Sequence, residues 1–301
     1  MINEQPITCR VPLGRLQIAP REPRLEAIGL LIATLLLGAS LRLHALDRQS
    51  LWADELSTWH ASQHQSLSEV IEDTPAPWPP GHYILIHFVL QYAGDSEFAM
   101  RYPALLSGVL AIAVTYRVGR QVYSWREGAM AAAIMAVSWF AIRYSQEMRA
   151  YSDLMLLALL TTSLWIAMLR SLHQGRRPPL GVSAGYVITA ILASYWHYLG
   201  LIFIGLQGIA LTLLVIRRWQ ALKSMLLLGL IIGLAYLPWT PRLVSALLTP
   251  NYEVWLTPLR GFLFEGYRFL LDVFHRSHPF MLFALGNLLL YAYHRYRQPD
   301  K

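Results

Sequence analysis

Long apolar runs separated by short polar stretches organise this chain. Residues 25–46 (LEAIGLLIATLLLGASLRLHAL) are apolar at nearly every position, and comparable runs follow at 97–119, 128–144, 151–169, 183–196, 198–216, 222–240 and 280–294. About 20 apolar residues cross the hydrocarbon of a bilayer, so each run predicts a spanning helix, the shorter ones with tilt. A ninth apolar stretch, 81–93 (GHYILIHFVLQYA), is different. At 1.5 Å per residue it reaches only about 20 Å, short of the roughly 30 Å core, and it predicts a juxtamembrane or re-entrant helix.

The polar stretches fix the direction of each crossing. Arg10, Arg15, Arg21 and Arg24 precede the first run, and the clusters Arg117/Arg120/Arg126, Arg170/Arg176/Arg177, Arg217/Arg218/Lys223 and Arg295/Arg297/Lys301 fall after alternate runs. Basic residues collect on cytoplasmic loops. All these clusters share one side if 81–93 does not cross, which predicts eight crossings with both termini in the cytoplasm. Residues 1–24 and 295–301 are then cytoplasmic, and 25–294 form one integral membrane domain. Its external segments are 47–96, with short helices in this first loop, 143–150, the corner at 195–198, and 241–279. A cleaved signal peptide is disfavoured at the N-terminus, because the apolar run is too long and no small-residue cleavage site follows it.

Composition agrees. Of the 301 residues 55% are hydrophobic and 14% charged, and the mean hydropathy is +0.38. Soluble domains carry about 25% charged residues. The net charge of +7 comes almost wholly from arginine, since Lys223 and Lys301 are the only lysines. A basic balance also suits nucleic acid, but here the bases form short clusters between apolar runs, so the lipid bilayer is the expected partner and nucleic acid is not. The single Cys9 excludes an internal disulfide and a cysteine metal site.

Ionisable groups are scarce inside the runs and concentrate on the external loops. A transporter is expected to hold them near the bilayer midplane; this pattern points instead to chemistry at the membrane surface. In SLWADELST, Asp54 and Glu55 are adjacent carboxylates just beyond the first run. They read either as a solvated pair, with Asp54 capping a short helix, or as acid–base groups for an attacking hydroxyl. In IRYSQEMRAYSD, Arg143 and Glu147, and Arg149 and Asp153, are four apart. They read as two helix-face ion pairs, or as an arginine that holds a phosphate through its planar fork. At SYWHYLG, Trp196, His197 and Tyr198 read as interface anchors, with His197 the candidate for a phosphate or sugar. His82 and His87 flank the short apolar segment, and Arg101 and Arg242 lie outside against the positive-inside trend. Asp54 and Glu55 offer two oxygen ligands to a divalent ion but no third ligand is identifiable, so no metal or other cofactor is expected to be required. No phosphate-binding loop or dinucleotide glycine pattern occurs.

Three blocks in this order, SLWADELST, PPGHYILIHFVLQYAGDSEFAMRYPALLSG and GRQVYSWREGAMAAAIMAVSWFAIRYSQEMRAY, resemble the family 39 membrane glycosyltransferases. The likeness is nearest to the bacterial branch, related to protein mannosyltransferases, lipopolysaccharide-core sugar transferases and the lipid A aminoarabinose transferase. It spans roughly residues 25–215. The resemblance implies an all-α GT-C bundle with its active site on the extracytoplasmic face of the cell (inner) membrane. It implies transfer, with inversion, from a polyprenyl-phosphate sugar to an envelope glycan, lipid or protein. By position in the motifs, Asp54 takes the role of base with Glu55 supporting it. Arg149 meets the donor phosphate, Glu147 positions, and Tyr151, His197 and Tyr198 complete the donor site, while Arg101 is a candidate phosphate contact by its outward placement alone. Two departures alter what is expected. Members are commonly longer, so this chain is expected to be a compact form, a truncated product or one half of a split system. The aminoarabinose branch has a lysine before a proline near the short helix, where this chain reads APWPPGHY, so aminoarabinose transfer is not expected. A flippase for the same lipid-linked sugar, or an inactive partner of a longer transferase, are the competing readings.

Overall fold

The computed structural model describes residues 25–75 and 78–248. The expected segments 1–24 and 280–294, the tail 295–301 and most of 241–279 lie outside them. Every regular element described is helical. The run at 25–46 forms α1 (Leu25–Leu43). The first loop folds into α2 (Ala53–Ser62), α3 (Leu67–Asp73) and α4 (Gly81–Ala93). Then come α5 (Glu97–Val122), α6 (Trp125–Val137), α7 (Trp139–Tyr144), α8 (Tyr151–His173), α9 (Leu180–Trp196), α10 (Tyr198–Val215), α11 (Trp219–Tyr236), a 3-10 turn and α12 (Thr240–Leu248).

Five of these stretches are long and apolar enough to cross a membrane: α1, α5, α8, α10, and Trp219–Ser245. Apolar α9 is shorter, at 17 residues. Leucines on α10 and α11 such as Leu206, Leu213, Leu227 and Leu230 remain more than half exposed, which costs nothing against lipid. Several helix hydroxyls are satisfied locally, Thr34 bonding the Leu30 carbonyl at 2.8 Å and Thr212 that of Gly208, as suits a medium without water.

The helices pack as two groups joined by α5 against α8. In one, α1, α5 and α6 enclose Ile112, Tyr116, Ala129, Ala132 and Ala136. In the other, α8 to α11 enclose Met168, Tyr186, Ala190 and Ile204. The loop helices α2, α3 and α4 sit over one end of this bundle. The termini that meet there are the C-terminal ends of α1, α9 and α11 and the N-terminal ends of α5, α8 and α10. Arg242 donates to the carbonyls of Ile71 and Glu72, tying α12 to α3 at the same end. All three described arginine clusters occupy the opposite end.

Helix α4 does not cross. Its start touches the end of α9, where a Cβ on Gly81 would stand 2.6 Å from the Tyr195 carbonyl oxygen. Its end leads directly into the start of α5. Both of its ends therefore lie at one end of the bundle, as the short length predicts.

The expected single run 128–144 is corrected. It breaks at Ser138, whose φ of −62° and ψ of 118° leave the helical region. No glycine or proline marks the break in AVSWF. The cause is Arg42 at the end of α1, fully buried. Its Nη1 donates to the Ala136 carbonyl at 3.0 Å and its Nη2 to that of Met135 at 3.1 Å, while Nε donates to Ser145 Oγ at 3.2 Å. A guanidinium thus satisfies carbonyls that the broken helix leaves open. Gly108 on α5 makes the room: a Cβ there would stand 2.8 Å from that of Ser145 and 3.0 Å from Arg42 Nε.

Candidate functional site

The loop–helix layer holds two adjacent carboxylates with opposite fates. Both fall in the first turn of α2, where the helix dipole favours negative charge. Glu55 points inward and is 0% exposed. Its Oε1 accepts from Arg101 Nε at 2.9 Å and from the Met148 backbone N–H at 2.7 Å, and its Oε2 accepts from Arg101 Nη2 at 2.7 Å. Arg101 spends its remaining N–H groups on the carbonyls of Leu46, Gln49 and Ser50. A guanidinium has five donors, and all five are used. Arg101 therefore clamps the α1–α2 loop to α5 and has no donor for the phosphate contact expected of it. Glu55 is the other half of that clamp.

Asp54 points outward, with its side chain half exposed. It does not cap α2, which starts one residue before it with Trp52 in the cap position. Its carboxylate lies 3.7 Å from Arg149 Nη2. Arg149 is held in place by Nη1, which donates to the Asp54 carbonyl at 3.1 Å and to Thr58 Oγ1 at 3.2 Å, and its guanidinium lies 5.9 Å from the Tyr151 ring centre. The expected Arg149–Asp153 pair does not form. Residues 145–150 are a turn and α8 begins at Tyr151, so the four-residue spacing does not place the two on one helix face. Arg143 and Glu147 do pair, at 3.0 Å.

Asp153 instead anchors four helices. Its Oδ1 accepts from Ser107 on α5 at 2.5 Å, its Oδ2 from Trp196 Nε1 on α9 at 3.2 Å, and His82 Nδ1 of α4 stands 3.5 Å away. His82 Nε2 lies 3.3 Å from the Met148 carbonyl oxygen. The carboxylate and imidazole are both buried. Sequence reasoning assigned Asp153 to a surface pair and missed Ser107, Trp78 and Arg42 altogether. The usable signal was a lone Arg or Asp at the end of an otherwise apolar run.

Beside Arg149 stands an aromatic cluster. His197, the extended residue between α9 and α10, accepts the Leu199 N–H on Nδ1 at 3.1 Å. Its ring lies 4.9 Å from Trp78, 4.4 Å from Tyr198 and 5.8 Å from Tyr151. His87 lies apart, bonded to the Ser62 carbonyl. The structure thus brings together Asp54, Arg149, Tyr151, His197 and Tyr198, while Glu147 faces a separate cavity of about 660 Å³ also lined by Glu55 and Arg101. Among the described residues no group of three or more His, Cys, Asp or Glu side chains is placed to hold a metal ion.

Burial, together with the nearby Arg149 and His82, pushes the His197 pKa down from 6.5 to about 4. The unfolded chain binds this proton near pH 6.5 and the folded chain does not, so acid favours unfolding. The stabilisation is complete above pH 6.5 and is lost as pH falls toward 4. By pH 5 the expected loss is on the order of 2 kcal/mol, at 1.36 kcal/mol per pH step. Thermal unfolding at pH 7 and pH 5 checks this. His197→Asn keeps an acceptor for the Leu199 N–H and removes the titration, so its melting point is expected to depend less on pH than that of the wild type.

Residues 77–241, more than half of the chain, match the family model described as dolichyl-phosphate-mannose-protein mannosyltransferase. No curated protein shows significant similarity to the chain.

Proposed function

The chain belongs to the dolichyl-phosphate-mannose-protein mannosyltransferase family, and on that premise we propose that it moves a sugar from a polyprenyl-phosphate donor to an acceptor at the extracytoplasmic membrane surface. Membership makes it a membrane glycosyltransferase of the GT-C type. The observation that carries the finer reading is the meeting of Asp54 and Arg149, 3.7 Å apart, from loops 95 positions apart in the chain. The positive-inside trend assigns the opposite end of the bundle to the cytoplasm, which leaves this pair outside.

In one displacement, the acceptor oxygen forms a bond to the anomeric carbon as the bond from that carbon to the phosphate oxygen breaks. The acceptor proton passes to the Asp54 carboxylate, which is exposed enough to be reached. The electron pair leaves on the phosphate, whose second charge is met by Arg149. Backside attack inverts the anomeric centre. Tyr151 and His197 stand beside Arg149, with Tyr198 packed against His197, and neutral His197 offers a hydrogen-bonding edge to phosphate or sugar. Glu55 and Arg101 act by fixing the loop that carries Asp54. The acceptor is an envelope glycan, lipid or protein.

The test is release of free polyprenyl phosphate from polyprenyl-phosphate mannose by the full chain in proteoliposomes. Mannose is the first probe because the family description names it. Arg149→Ala is expected to lower the rate about 10²–10³-fold, the usual cost of removing a donor aimed at developing negative charge. Arg149→Lys should fall between, since it keeps charge without the fork. Unchanged release by Arg149→Ala defeats the assignment. Movement of intact donor across the bilayer without cleavage points to transport instead.

A further inference from the structure

We infer that the cavity of about 660 Å³ between the α1–α2 loop, α5 and α7 binds an uncharged pyranose, in a subsite separate from the phosphate contact at Arg149. The inference rests on the glycosyl-transfer reading and adds where a sugar ring sits and why.

Charge balance comes first. The ionised groups lining the cavity are two cations and two anions, and they are already paired: Arg101 with Glu55 at 2.7 Å and Arg143 with Glu147 at 3.0 Å. The lining carries no net charge and presents no arginine without its carboxylate, so a phosphate gains nothing here that water does not give it. Arg149 is the contrast: its carboxylate partner lies 3.7 Å away and is itself half exposed. A polar cavity with balanced charge suits a neutral ligand rich in hydroxyls.

The rest of the lining fits such a ligand. Trp52 and Trp139 stand at the cavity 45% and 43% exposed. Indole faces match the C–H faces of a pyranose, burying apolar area without demanding polar partners. Gln146, on the same lining, donates its amide N–H groups to the carbonyls of Arg42 and His44, at 3.1 and 2.8 Å. That leaves its Oε1 to accept from a ligand hydroxyl. Glu147 uses Oε1 on Arg143 Nε and keeps further acceptor capacity, while Arg143 keeps further N–H donors. The volume lies within the range of small-ligand pockets, about 300–1,000 Å³. Trp52, two residues before Asp54, and Glu55, directly after it, line the cavity while Asp54 does not, so the cavity borders the segment that carries the proposed base. The sugar is either the acceptor's or the one the donor transfers.

The test is saturation-transfer NMR on the full chain in lipid nanodiscs, with methyl α-D-mannopyranoside as probe and inorganic phosphate as charged competitor. Wild type is expected to transfer saturation to the ring C–H protons, and excess phosphate to leave the signal unchanged. Trp139→Ala and Trp52→Ala should each lower it at least about fivefold, and Trp139→Phe, which keeps a ring, should retain most of it. A wild-type signal in both alanine variants, no signal from the wild type, or displacement of the glycoside by phosphate overturns the inference. Saturating polyprenyl-phosphate mannose separates the two sources: displacement of the probe assigns the cavity to the transferred sugar, and co-binding assigns it to the acceptor. Binding does not need turnover. A chain that binds the probe in this way but releases no polyprenyl phosphate fails the transfer reading and keeps this one.

Discussion

Asp54→Asn is expected to lose transfer by about 10²–10⁴-fold, the usual contribution of a positioned base, while folding as the wild type does. The two halves of that expectation have separate grounds. The fold does not depend on the charge: the Asp54 side chain is half exposed and its ion pair with Arg149, at 3.7 Å, is beyond hydrogen-bond length. Exposed pairs of this kind contribute about 0–1 kcal/mol. Arg149 keeps its bonds to the Asp54 backbone carbonyl and to Thr58 in the variant. In the proposed mechanism catalysis does depend on the charge, because an amide of the same shape cannot accept the acceptor's proton. The initial rate of polyprenyl phosphate release and the melting temperature, measured on one preparation, separate the two. Wild-type turnover by Asp54→Asn removes Asp54 from the mechanism; a lost fold makes it structural.

Much of the architecture was legible because lipid simplifies the pattern. An apolar run either reaches across or does not, and the short length of 81–93 together with the sides of the basic clusters distinguished α4 from its neighbours. The acid pair and the Arg149 region were legible as chemistry but not as geometry. Nothing local to DEL reveals that Glu55 turns in and Asp54 turns out. That follows from the phase of α2, which is set by Arg101, 46 positions away. The i,i+4 reading of Arg149 with Asp153 assumed a continuous helix where the chain makes a turn. The break at Ser138 was invisible for the same reason: its stabilising group, Arg42, lies 94 positions from the carbonyl it caps. Where the chemistry depends on long-range hydrogen bonds, spacing in the sequence misassigns partners. Where it depends on hydropathy, spacing finds the apolar runs, though not a break such as that at Ser138.

The largest stability effect is expected at the buried clamp. Removing one member of a buried ion pair costs about 3–5 kcal/mol, because the other is left charged without a partner. Glu55→Gln keeps the shape but turns its amide N–H groups toward Arg101 in either orientation, and toward the Met148 or the Trp52 N–H as well, so donors face donors. Arg101→Met also strands the carbonyls of Leu46, Gln49 and Ser50, so it should be the more damaging. The two changes act on one network, and the double variant Glu55→Gln/Arg101→Met is expected to lose less than the sum of the singles. Equilibrium unfolding in detergent checks both statements. The functional consequence follows from connectivity. Glu55 fixes Met148, the residue before Arg149, and sits directly after Asp54. Loosening the clamp moves base and phosphate contact together, so transfer by the singles should fall even at temperatures where they remain folded. Singles that melt within about 1 kcal/mol of wild type, or a double variant whose loss is additive, show that the Glu55–Arg101 contact does not hold this layer together.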